Sequence, residues 1–261
     1  SSVWDVGASY GEQGMALLPE DAWQTQYDLC GDLYRVRIEC EYLNNQIEVG
    51  NRLSVIALKK FQLPLEKADI CTLQLTYNLV INISFALEQG MAGLRYCGLD
   101  IPKLEQITDD LIAQEEFLAN TLRGQVDLND LKRSKDAPLS IQQACRIFGR
   151  LAPLSNAAGL PKFQSYIINR GTRLAIEHGV GEPSMSIWAL QSVLLSKQGR
   201  YVEAKQMATI CLALAEWHPK SQDIAVAYSC IGSLCWFYVA PFSEALALQQ
   251  QAYDKGVELG D

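Results

Sequence analysis

The feature that most constrains this chain is the spacing of its apolar residues, which recur at steps of three and four along most of its length. Leu29, Leu33, Val36, Cys40 and Leu43 follow that rule and predict a helix from about Tyr27 to Leu43, with these residues as its apolar stripe. Val49, Leu53 and Ile56 mark a partner that ends near Lys59 and Lys60, whose charges suit the negative end of a helix dipole. Such stripes are hidden only against a neighbour, so a chain made of them folds as helix on helix. No window combines strict alternation with a hairpin turn such as Asn-Gly, and no sheet is expected.

Proline and glycine punctuate the pattern. A proline is tolerated in the first helical turn because its missing N–H would lack an intrahelical partner anyway, so Pro64, Pro138, Pro161 and Pro241 read as helix starts. Leu65, Ala68, Thr72, Leu75 and Leu79 carry the helix after Pro64, and Ile83, Leu87, Met91 and Leu94 carry its partner up to Gly98. Leu104, Ile107, Leu111, Leu118 and Leu122 mark a further amphipathic helix. Beyond it, residues 124–137 turn polar and charged and read as an internal linker. Ile141, Cys145, Phe148 and Ala152 define the next helix, and Ile167, Gly171, Leu174, Ala175 and His178 its partner. Ile187, Leu190 and Leu194 precede a turn at Gly199, and Ala208, Cys211 and Ala215 follow it. Ile224, Ile231, Leu234 and Tyr238 mark one more helix, and Ala245, Leu248, Ala252 and Leu259 the last. The domain reading is hairpin repeats over residues 1–123, the linker at 124–137, and hairpin repeats over 138–261 continuous with the first set.

With 261 residues the chain is near the size at which one compact core stops growing, which leaves two domains or a solenoid that adds core layer by layer. Twenty-two Lys and Arg stand against 30 Asp and Glu, a net charge of −8, so a surface that neutralises phosphates or docks on anionic lipid is not expected. Apolar stretches such as Met207 to Ala215 fall short of the roughly 20 residues a membrane span needs, and no membrane insertion is expected. The opening Ser1-Ser2-Val3 has no initiating Met and no leader pattern, which reads as a piece of a longer protein. Cys40, Cys145, Cys211 and Cys235 fall on apolar helix faces, where a free thiol behaves as a small hydrophobe; a reducing, cytoplasmic setting follows.

One hairpin, from Ser184 to Ser221, takes roughly 38 residues, in the range of helical-repeat arrays. Within it Trp188, Gly199, Tyr201, Glu203, Ala204 and Ala208 resemble a tetratricopeptide repeat. Gly199 permits the tight turn, Tyr201 is expected to pack back over the pair, and small Ala204 and Ala208 let two helix axes approach. Gln191 stands where that family usually keeps a Leu. The chain also resembles the helical-repeat region of large bacterial signalling proteins that join a serine/threonine kinase, a P-loop ATPase and a sensor histidine kinase. The resemblance lies in Leu33 to Asn45, Leu65 to Pro102, Ser140 to Phe163 and Ala252 to Asp261, in that order. Where that family commonly has a Gly-Asp-Phe turn, Asn44, Asn45, Gln46 and Ile47 stand here, and Asn can make the turn.

Catalytic patterns are missing from the sequence. There is no G-x-x-x-x-G-K-[ST] loop for phosphates, no G-x-G-x-x-G opening a helix, and no kinase His-Arg-Asp or Asp-Phe-Gly tripeptide. Only His178 and His218 exist, neither with zinc-site spacing; His178 reads as a satisfied, partly buried histidine near a helix C-terminus. Glu115 with Glu116 and Asp109 with Asp110 diverge by about 100° per step and read as a solvated acidic face. The Trp236, Phe237 and Tyr238 run reads as aromatic packing.

The expectation is therefore an all-α chain, an α-solenoid of antiparallel helical hairpins in a tetratricopeptide-like superhelix, with no catalytic residues, cofactor or metal. Its expected function is protein–protein interaction and signal relay inside a larger kinase and ATPase protein, with neighbouring domains or a signalling protein as partner and no nucleic acid. The tetratricopeptide resemblance places Ser186, Ala189, Val193, Ser196 and Lys197 toward a partner groove. The alternative is a regulatory module that senses a small molecule inside the superhelix.

Overall fold

The computed structural model describes residues 3–124, 126–128, 131, 137–179 and 181–259. Among the described residues there are fourteen α-helices and two short 3-10 turns, and no strand, so the chain is all-helical. Two compact units divide it, residues 1–101 and 102–261. The reading from sequence drew the first set of repeats through residue 123 instead. Thr108 caps α7 (Asp109–Arg123), and α7 packs on a helix of the second unit, so it belongs there and not with the residues before it. Much of the 124–137 stretch lies outside the described residues.

The first unit holds α1 (Val3–Ala16), α2 (Ala22–Thr25), α3 (Tyr27–Leu43), α4 (Ile47–Lys60), α5 (Pro64–Asn78) and α6 (Ile83–Tyr96). Helix α3 packs against both α1 and α4, α4 against α5, and α5 against α6. Pro64 opens α5 as expected, and Gly98, at a φ of 84°, follows the end of α6. The Asn44-Asn45 turn forms with Asn45 in the left-handed region at a φ of 61°, which Asn tolerates better than other side chains.

The expected stripe on α3 is only partly right. Cys40 is buried and Leu33 half-buried as expected, but Leu29, Val36 and Leu43 are exposed, and Cys30, Ile38 and Tyr42 are buried in their stead. Tyr42 and Ile38 join Leu53, Ala57, Phe61 and Ile70 in the core, with Trp23, Tyr27 and Tyr34 packed against it. Tyr42 stacks on Tyr77 with 4.9 Å between ring centres, and its hydroxyl donates to Asn51 Oδ1 at 2.7 Å. Its polar tip is thus satisfied inside an aromatic core.

The second unit holds α7 and then α8 (Leu139–Ala157), α9 (Pro161–His178), α10 (Met185–Lys197), α11 (Tyr201–Trp217), α12 (Asp223–Leu234), α13 (Trp236–Val239) and α14 (Phe242–Leu259). Helix α9 packs on α7 and α8, α10 on α11 and α12, and α12 on α14. The run expected to continue as one helix through Tyr238 breaks at Cys235, whose φ of −122° leaves the helical region. Tyr238 then stacks on Tyr201 at 5.8 Å, so Tyr201 packs across to α13 and stays half-exposed. Gln191 is buried in place of the usual Leu because its amide is fed on both sides. Thr172 Oγ1 donates to it at 3.0 Å, and its own Nε2 donates to Asn169 Oδ1 at 3.3 Å.

Candidate functional site

Helix α10 is enclosed by α8, α9, α11 and α12, and this decides the fate of the expected groove residues. Ser186, Ala189, Val193 and Ser196 are buried, and only Lys197 is exposed. They therefore form core, not an open groove; a helix with neighbours on every side has no face left for a partner. Ser192 and Ser196 hydroxyls turn back onto the Ala189 and Ser192 carbonyls, which explains how serines are accommodated there. Ser186 alone reaches a polar cluster, donating to the Asp223 carboxylate beside Arg150, Arg146 and Glu182. Burial pushes the Asp223 carboxyl up, against the pull of the two arginines.

A second charged cluster joins α7, α9 and α11. The face that α7 buries is Glu115, Ala119 and Arg123, four residues apart on one line of the helix. Glu115 is 6% exposed and accepts from Arg170 Nη1 at 3.1 Å and from Arg173 Nε at 3.0 Å and Nη2 at 3.2 Å. The expected solvated acidic face is thus wrong for this residue, because two arginines a turn apart on α9 take its carboxylate out of water. Glu116 is half-buried and accepts from Arg200 Nη1 at 2.8 Å. Arg200 also grips Glu203 through Nε and Nη2, both at 2.6 Å, and Arg123 Nη2 donates to the same carboxylate at 3.1 Å. The Arg200 hydrogen bond holds the Glu203 carboxyl below the usual range; burial and the nearby Arg200 charge hold the Arg123 guanidinium down. Asp109 and Asp110 do stay at the surface, with Lys162 Nζ 2.9 Å from Asp109.

Beside this cluster a cleft of about 710 Å³ opens between the end of α7 and α11. Arg123, Val126, Leu128, Val202, Lys205 and Ile210 are among its lining residues. Sequence reading missed it, although the four-residue line of Glu115, Ala119 and Arg123 was visible and could have marked a polar helix seam.

The far end of the unit is apolar at its surface. A shallow groove of about 490 Å³ lies between α12 and α14, and Val226, Tyr253 and Val257 in its wall are all exposed. Phe237 and Phe242 pack together at 5.4 Å and are also exposed, so the aromatic run is only partly interior.

Among the described residues no arrangement of nucleophile, base and orienting group stands out. His178 is the last residue of α9 and is exposed, not partly buried, because the chain leaves the core there at Gly179. Among the described residues no group of three or more His, Cys, Asp or Glu side chains is placed to hold a metal ion, and no helix is long and apolar enough to cross a membrane. The described cysteines are all free, and seven are buried. No protein family, curated protein or solved structure matches this chain.

Proposed function

We propose that this chain is a non-catalytic helical-repeat scaffold that binds protein and relays signals within a larger cytoplasmic kinase and ATPase protein, its hairpins stacked as a tetratricopeptide-like solenoid. One observation carries the reading: the groove between α12 and α14 leaves Val226, Tyr253 and Val257 open to solvent. Large apolar side chains gathered at one surface favour a partner that removes them from water, at about 25 cal/mol for each Å² covered. The occupant in this reading is a neighbouring domain of the same polypeptide, which would also receive any change in the packing of the hairpins. The tetratricopeptide-like residues support the solenoid part of the reading: Trp188, Ala204 and Ala208 are fully buried, and Gly199 turns at a φ of 75°.

Hydrogen exchange tests it. The chain alone is compared with a longer polypeptide that continues past Asp261. Amides of α12 and α14 should exchange more slowly in the longer form, and a Val257→Glu change should restore the faster rate. Equal exchange in both lengths would sink the reading.

A further inference from the structure

We propose that copies of this chain associate through their first units, helix α3 of one copy lying antiparallel against α4 of another, apolar line on apolar line and acid beside base. The proposal goes beyond the interaction reading and does not depend on it.

The two helices carry one pattern with opposite charge. On α3, Leu29, Val36 and Leu43 recur every seven residues, and Asp32 and Glu39 follow the first two of them by three. On α4, Val49 and Ile56 recur at the same interval, and Arg52 and Lys59 follow them by three. Seven residues make close to two helical turns and rise about 10.5 Å, so each set forms one line with its charges along one flank. Both lines face water. Val36 is 53% and Ile56 42% exposed, Leu29 and Leu43 are exposed, and Val49 is half-buried. Helix α1 meets α3 at Leu33, Arg37 and Cys40 and leaves this line open. All four charged residues are exposed. Glu39, Arg52 and Lys59 have no ion pair among the described residues, and Asp32 has only an exposed one with Arg35, which Glu66 shares.

Charge selects the partner and its direction. Pairing α3 with α3 sets acid against acid, and α4 with α4 sets base against base. Laid antiparallel with Val36 opposite Ile56, α3 and α4 bring Leu43 to Val49, Glu39 to Arg52 and Asp32 to Lys59, with every charge on one flank. Leu63, exposed just past the end of α4, then stands opposite Leu29, and Glu48 stands opposite Asn44, away from the acids. Laid parallel, the charged flanks fall on opposite sides of the contact. The apolar line supplies the attraction, while the exposed ion pairs fix partner and register more than affinity. Because the contact joins two different surfaces, it propagates head to tail.

Sedimentation velocity of the full chain at about 5 μM and about 200 μM tests the assignment, with a faster boundary expected at the higher concentration. The double change Asp32→Lys with Glu39→Lys should hold the chain monomeric at both concentrations, and so should Arg52→Glu with Lys59→Glu. All four side chains lie in water, so the melting temperature should stay put. Val36→Asp, at an exposed position outside any ion pair, should also give monomer. An equimolar mixture of the two double variants should associate again, since the reversed α3 of one meets the reversed α4 of the other. A parent chain that is monomeric at both concentrations overturns the proposal. Association that survives either double reversal or Val36→Asp overturns it too, marking a different surface such as the α12–α14 groove. A mixture that stays monomeric does the same.

Discussion

Removing a carboxylate costs little at a helix surface and much more where it leaves buried partner charges uncompensated. Glu115 and Asp109 lie six residues apart on α7 and fall on opposite sides of that divide. Replacing Glu115 by Ala leaves Arg170 and Arg173 without their shared anion, and urea denaturation should show a loss of about 2 kcal/mol, somewhat below that of a fully buried pair because both guanidiniums keep some water. Asp109→Ala removes only the exposed pair with Lys162 and should cost less than about 0.5 kcal/mol. Acid separates two other carboxylates. Glu203 titrates below its ordinary value in the folded chain, so its contribution is present at neutral pH and is lost as pH falls from about 4.3 through the lowered value. Asp223 is pushed up, so the folded chain binds that proton more tightly and its protonation favours folding as pH drops. Melting temperatures followed into acid should therefore fall less steeply for Glu203→Gln than for the parent, and more steeply for Asp223→Asn. Neither residue showed this in sequence, where both are single acids on amphipathic helices.

At the scale of the element, most helix bounds were legible because their signals are local. The run from Tyr27 to Leu43, the end at Lys60 and the start at Pro64 stand where the spacing and caps place them. Faces were less legible. Helix α3 packs against both α1 and α4, so a single three-and-four count finds Cys40 but misses Cys30, Ile38 and Tyr42. Close contact between α3 and α4 also makes one glycine critical. A Cβ at Gly50 would lie 2.6 Å from Tyr42 Cε1, and that ring is held by the stack on Tyr77 and the bond to Asn51. Gly50→Ala should destabilise the first unit by about 1–3 kcal/mol, read as a shift in its denaturation midpoint. An unchanged midpoint would mean that the two helices can part without loss.

At the scale of the whole molecule, the all-helical class followed from the chain's own pattern, since three-and-four spacing with no alternation leaves nothing else to build. Many helix starts and stops came with it, because a proline, a left-handed Asn45 or Gly199 and a run of lysines act within one turn of where they stand; the helix expected to carry Leu104 and Ile107 begins only at Asp109. Tertiary structure alone decided which faces are buried, that α10 is enclosed and its Ser186, Ala189, Val193 and Ser196 are interior, and that the units divide after residue 101. It also decided the charged seam. Arg123 and Glu203 are 80 residues apart, and Arg173 and Glu115 are 58 apart. The free energy of such a pair depends on distance and on the water excluded around it, and neither quantity exists until helices distant in the chain are packed together.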